Sequence, residues 1–266
     1  MHTNTISFPK LGISLNVNPV AFTLFGNEIH WYALFILTGF LLAVFFCCKS
    51  AKKRDVNPDH LIDIGLYGLI SGLIGARLYY VLFDLKSFHS FWEVFAIWEG
   101  GLAIYGGLIA AVISTTIYCR VKKLNFFKIA DVCAPGLFIG QIIGRLGNFV
   151  NAEVYGQVTN SFLGMSINGG MPVHPLFLYE GLWNLLGLIL MLCLRDKKKA
   201  DGQVLCGYFF WYGFGRLFLE GMRQEAYILY LIDGVLAISQ LVSALIMIAS
   251  VVVFIILERK KDGLKK

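Results

Sequence analysis

Residues 30–54 read HWYALFILTGFLLAVFFCCKSAKKR: no charged side chain from Trp31 to Cys48, then Lys49, Lys52, Lys53 and Arg54 in quick succession. A helix over 30–48 would be about 28 Å long at 1.5 Å per residue, close to the ~30 Å of hydrocarbon in a bilayer. Composition extends this reading to the whole chain. Of its 266 residues 57% are hydrophobic and 15% charged, against roughly 45–50% and 25% in soluble domains. A globule of this size has too little interior for so much apolar side chain, so lipid must serve as its solvent. Soluble enzymes, disordered linkers and nucleic-acid binders are excluded, although the net charge is +6.

Working outward from 30–48, further spans are predicted at 61–83, 101–118, 131–150, 175–194, 203–222 and 233–257. The expected fold is an all-α integral membrane protein, a single seven-helix domain over 1–266. The third span is short and glycine-rich, which leaves room for a broken or partly re-entrant segment. Residues 1–29 lack the basic start and apolar block of a signal peptide. With ISLNV and AFTLF they read as an outer interfacial segment. A small head on the same face would add the outer loop 151–174.

The basic residues orient the spans. Of 23 Lys and Arg, seventeen fall on alternating segments: 49–60, 119–130, 195–202 and the tail 258–266. The intervening loops hold only Lys10, Lys86 and Arg223, and the spans hold Arg77, Arg145 and Arg216. Positive charge stays cytoplasmic, so the amino terminus is expected outside and the basic tail inside. Cys47, Cys48, Cys119, Cys133, Cys193 and Cys206 all lie near the cytoplasmic ends. No outer disulfide framework is available, and the six read as small packing residues.

Ionisable groups inside spans are costly and mark functional sites. With this orientation Arg77, Arg145, Arg216, Glu180 and Glu220 fall in one layer beneath the outer leaflet, level with Tyr32, Tyr105, Asn148 and Asn151. Three arginines face two in-span carboxylates, leaving one positive charge unless Asp84, Glu99 or Glu153 folds back to cancel it. A guanidinium fork suits phosphate oxygens, and a phospholipid headgroup is the nearest phosphoanion. Gln141, Arg145 and Asn148 share one helical face, beside a stripe of Gly136, Gly140, Gly144 and Gly147 where another helix can approach. Tyr212, Arg216, Glu220 and Arg223 form a second polar stripe. Trp31, Trp98, Trp183 and Trp211 read as interface or core residues. An organic-anion transporter would also want buried arginines, but it would place them near the midplane. A lipid phosphatase would show carboxylate-rich metal motifs or a histidine nucleophile instead.

The stretch GRLGNFVNAEVYG, Gly144 to Gly156, resembles the signature of the bacterial prolipoprotein diacylglyceryl transferases. HWYALFILTGF at 30–40, GARLYYVLF at 75–83, WEGGLAIYGGLIAA at 98–111, HPLFLYEGL at 174–182 and GRLFLEGMRQE at 215–225 extend the likeness along nearly the whole chain. The resemblance implies an inner-membrane enzyme facing the outer leaflet. It would move the diacylglyceryl group of phosphatidylglycerol to the lipobox cysteine of a preprolipoprotein signal peptide, form a thioether and release glycerol phosphate. By the same resemblance Arg145, Asn148, Glu153 and Gly156 bind the phospholipid, while Tyr32, Arg216 and Glu220 are catalytic; by their level in the same layer Asn151 and Arg77 join the phospholipid site and Tyr105 the catalytic set.

This chain departs from the family pattern at Tyr105, where well-known members carry a histidine proposed as the base for the substrate thiol. A phenol is a poor base near neutral pH. The proton acceptor is left open among a lipid phosphate oxygen, Glu153, Tyr32 and His174, or the arginines' potential acts on the thiol directly. Phe177 stands where many members have a polar residue. No cofactor or metal is implied, since His2, His30, His60, His89 and His174 lie scattered without ligand spacing.

Overall fold

The structure, a computed structural model, describes residues 3–85, 88, 90–97, 100–224, 230–232 and 236–263. His2, Lys86, His89, Trp98, Glu99, Lys265, Lys266 and the expected start of the seventh span at 233–235 lie outside the described residues. Backbone packing divides the chain into two compact units, residues 1–43 with 133–266 and residues 44–132.

The unit of 44–132 is built on helices α2 (Pro58–Phe83) and α3 (Ile104–Val121). Helix α2 starts where a start is encoded: the Asn57 side chain accepts from the Asp59 amide at 3.0 Å, and Pro58 occupies the first helical position. The two helices cross at glycines. A Cβ on Gly75 would strike Ala110 and the Gly106 carbonyl, and one on Gly106 would strike the Gly75 carbonyl. Small residues permit such backbone contact in membranes, where van der Waals packing drives association. Helix α3 is continuous over Ile104–Val121, so the third span is not the broken segment that its glycines left room for. Its glycines at 100 and 101, at φ +90° and +69°, stay in the loop before the helix.

The larger unit holds most of α1 (Trp31–Ala51) and α4 (Phe126–Val150), with α5 (Leu176–Leu194), α6 (Gln203–Glu220) and α7 (Ile238–Gly263). Phe138 and Ala134 of α4, Met191 of α5 and Val204 and Tyr208 of α6 form its central core. The predicted glycine stripe meets α1. Gly39 approaches the Gly140 backbone, Gly144 lies under Ile36, and a Cβ on Gly147 would sit 2.7 Å from the Tyr32 ring.

Among the described residues six helices are long and apolar enough to cross a membrane: those beginning at Trp31, Pro58, Ile104, Phe126, Leu176 and Ile238. Helix α6 is not one of them, because its 18 residues include Gln203, Arg216 and Glu220. The all-α expectation needs a correction at the amino terminus. Residues 4–30 form strands β1 (Asn4–Phe8), β2 (Ile13–Val17), β3 (Val20–Leu24) and β4 (Asn27–His30). Strand β5 (Ser166–Ile167) joins β1 on the side away from β2, so Ile6 faces Leu15 on one side and Ile167 on the other. Ile6 is fully buried with Met165, Val173 and Phe177 against Phe149. The β2–β1–β5 sheet is thus a folded cap over the end of α4, while AFTLF falls in the separate β3–β4 pair. A second small pair, β6 (Tyr230–Ile232) and β7 (Leu236–Ala237), precedes α7.

Candidate active site

Three helix ends in the larger unit converge on one carboxylate. Glu180, one turn into α5, is 7% exposed. Arg145, near the end of α4, pairs with it through Nη2, and Arg216 on α6 pairs through Nη1 at 3.1 Å. A Cβ on Gly181 would lie 3.8 Å from the Arg145 Cβ, so α5 comes close to α4 at this level. Arg216 also grips Glu220 at 2.7 Å, one turn along its own helix, and Arg223 reaches the same oxygen at 3.6 Å.

On the other side Arg145 Nη1 donates to Asn148 Oδ1 at 3.2 Å, and Asn148 Nδ2 donates to Glu153 Oε1 at 2.8 Å. Asn151 Nδ2 donates to the same Glu153 oxygen at 3.4 Å, while its own Oδ1 is buried and meets no hydrogen-bond partner among the described residues. One chain of polar contacts thus runs from Asn151 to Arg223. Its three guanidinium groups balance three carboxylates. Glu153 folds back, as one alternative in the sequence reading had it, and Arg223 supplies the third positive charge.

The bend that returns Glu153 is strained. Ala152 and Val154 both adopt left-handed backbone, at φ +53° and +58°, an outlier for a β-branched residue. Gly156 then threads a gap that no side chain fits. Its amide donates to the His174 carbonyl at 2.8 Å, and a Cβ would collide with the Met222 carbonyl and lie 2.9 Å from the His174 Cβ. The Gly156–Arg223 bridge and the Gln157 amide on the Met222 carbonyl, 2.9 Å, tie the loop to the end of α6. Gly156 serves the site through its backbone. His174 is occupied by the same crossing and by Tyr179, 3.3 Å from its Nδ1.

Below the charges, α5 and α6 are clasped by two tryptophans. Trp183 Nε1 donates to the Trp211 carbonyl at 3.1 Å, and Trp211 Nε1 donates to the Trp183 carbonyl at 3.0 Å. The rings stack with centroids 4.3 Å apart, and each covers a glycine of the opposite helix, Trp183 over Gly215 and Trp211 over Gly187. Between clasp and charges is a cavity of about 20 Å³, lined by Arg145, Glu180, Trp183, Asn184, Tyr212 and Arg216 among others, room for about one water-sized group.

Eight sequence-predicted residues gather in this unit: Tyr32, Arg145, Asn148, Asn151, Glu153, Gly156, Arg216 and Glu220. Arg77 and Tyr105 belong to the other unit. Arg77 is 7% exposed and spends its guanidinium on carbonyls: Nε to Val94 at 2.8 Å, Nη1 to Gly100 at 2.6 Å and Gly101 at 3.2 Å, and Nη2 to Glu93 at 2.5 Å. Tyr105 stands in the first turn of α3, 60% exposed. Phe177, apolar where a polar residue is usual, is buried beneath Ile6.

Sequence reasoning counted Glu180 as a counter-charge but did not place it at the centre, and it took the tryptophans for generic packing. A repeated spacing carried the signal: Trp183 and Trp211 each precede a glycine by four residues, Gly187 and Gly215.

The family model described as prolipoprotein diacylglyceryl transferase matches residues 19–256. The phosphatidylglycerol–prolipoprotein diacylglyceryl transferase 1 of Clostridium perfringens is 42% identical over 262 residues, covering 94% of this chain and 98% of its own length. The transferase of Streptococcus uberis is 42% identical, and that of Streptococcus pyogenes serotype M1 is 41% identical. Each covers 93% of this chain and 98% of the relative. With its motifs matched in order and its relatives aligned almost end to end, the chain belongs to the prolipoprotein diacylglyceryl transferase family.

Proposed function

We propose that this chain transfers the diacylglyceryl group of phosphatidylglycerol to the lipobox cysteine of a bacterial preprolipoprotein, the first step of lipoprotein maturation. The cysteine sulfur attacks the diacylglyceryl carbon that bears the phosphate ester. The C–S thioether bond forms, the C–O bond breaks with its electron pair on oxygen, and glycerol phosphate leaves. The thiol proton passes to a base or to the departing phosphate. The observation that carries this reading is Glu180 held between Arg145 and Arg216. Two guanidinium groups from different helices are brought to one anion, and each remains accessible, with 24% and 21% of its side chain exposed.

Glu180 stands where a phosphate oxygen can compete. It holds the two forks converged before substrate arrives, so little reorganisation remains when charge develops on the leaving group. In this reading Arg145, with Asn148, Asn151 and Glu153, holds the headgroup, and Asn151 Oδ1 is an acceptor for one of its hydroxyls. Gly156 shapes the loop behind it. Arg216, kept in place by Glu220, faces the departing phosphate, and Tyr32 acts at the reacting centre. Arg77 serves by holding the loop that leads into α3.

We further propose seven crossings with α6 as the polar one, the amino terminus outside and the basic tail in the cytoplasm of a bacterial inner membrane. The segregation of basic residues supports this orientation. The test is transfer in vitro from radiolabelled phosphatidylglycerol to a lipobox peptide, with a Cys→Ser peptide as control. Label on the cysteine peptide alone is expected. Flux of glycerol phosphate into liposomes without lipidated peptide would overturn the proposal in favour of transport.

A further inference from the structure

Strands β3 and β4 are joined by a two-residue loop, Phe25-Gly26, with Leu24 paired to Asn27 across it. Both loop residues are left-handed, Phe25 at φ +50° and Gly26 at +83°. This is a type I′ turn, whose first position suits Asn, Asp or Gly. Phenylalanine pays a steric penalty there, yet its ring makes no use of the fold: Phe25 is 95% exposed. Turn chemistry therefore gives no reason for the residue. Phe22 and Leu24 beside it are about half exposed, at 49% and 50%. A two-stranded hairpin is marginal in water by itself and needs a surface to pack on.

Chain continuity says which surface. Strand β4 runs without a linker into α1, which begins a membrane-crossing stretch, and the Trp31 amide bonds the Pro19 carbonyl at 3.0 Å to fix the base of the hairpin. Four residues of strand at ~3.3 Å each keep the tip within about 13 Å of the first turn of α1. The hairpin carries one charge, Glu28, and no basic residue, so its attraction to a bilayer is apolar. We propose that the β3–β4 hairpin is a membrane anchor: Phe25, flanked by Phe22 and Leu24, inserts into the boundary between headgroups and acyl chains in the leaflet at the amino-terminal end of α1. The occupant of this surface is lipid, and insertion fixes the tilt with which α1 presents Tyr32.

The test places photoreactive benzoylphenylalanine at position 25 of the full chain in nanodiscs of phosphatidylethanolamine and phosphatidylglycerol. Irradiation is expected to give phospholipid adducts by mass spectrometry. Absence of lipid adducts, or adducts only with an added lipobox peptide, would overturn the proposal, the latter in favour of protein docking. A second variant separates anchoring from folding. Phe25→Asn suits the turn better and is expected to hold or raise thermal stability in detergent, while lipid adducts from a photoreactive group at Phe22 fall severalfold. Undiminished adducts at Phe22 would show that Phe25 does not anchor the hairpin.

Discussion

Replacing Arg145 by lysine keeps the charge and removes the fork. Arg145 uses two nitrogens in two directions, Nη1 on Asn148 and Nη2 on Glu180, and a single ammonium on a flexible stem cannot hold both. The variant keeps one charge-assisted contact and loses the other, worth about 1.5–3 kcal/mol for a hydrogen bond to a charged group. At about 1.4 kcal/mol per factor of ten, transfer should fall roughly 10- to 150-fold. Expression should persist, because Glu180 retains Arg216 and the layer keeps its charge balance. The assay is labelled diacylglyceryl transfer to a lipobox peptide at equal amounts of folded protein. Asn148→Ala completes a cycle: the two single losses should sum to more than the loss in the double variant, since the Arg145→Lys ammonium has already released the amide. Wild-type turnover by Arg145→Lys, or strict additivity with Asn148→Ala, would refute the role of the fork.

Four further outcomes follow from the geometry. Glu180→Gln leaves two partly exposed guanidinium groups facing a neutral amide and should cost about 1–3 kcal/mol of stability, read as earlier thermal unfolding in detergent. Gly156→Ala drives a methyl into the Met222 carbonyl, so limited proteolysis should cut the 151–174 loop and activity should vanish; a folded, active variant contradicts the crossing. Trp183→Phe preserves ring stacking but removes the indole hydrogen bond to the Trp211 carbonyl, at about 0.5–1.5 kcal/mol, measurable as a lowered midpoint of unfolding. Tyr105→Phe should lose less than the roughly 100-fold expected when a general base is removed, and a larger loss would make the phenol that base.

The membrane class, the apolar stretches and the residue types of the site could be read from the chain alone. Long uncharged runs have one physical outcome in lipid, and an arginine such as Arg145 within a span needs an anionic partner whatever its neighbours. The span limits were also legible to within a few residues, because the basic clusters mark helix ends locally, although the Asn57 cap starts α2 at Pro58, three residues before the limit read from hydropathy. The amino-terminal strands were not. Strand β1 is completed by Ser166–Ile167, some 160 residues away, and five-residue strands carry too little periodicity to announce such a partner. The partners of the charges escaped a linear reading for the same reason. Spacing along α6 gives Arg216 to Glu220, but only the packing of α4 and α6 on α5, set by glycines and the tryptophan clasp between α5 and α6, gives both Arg145 and Arg216 to Glu180. Which residues must leave water is a property of composition; which of them meet is decided by backbones close enough to touch.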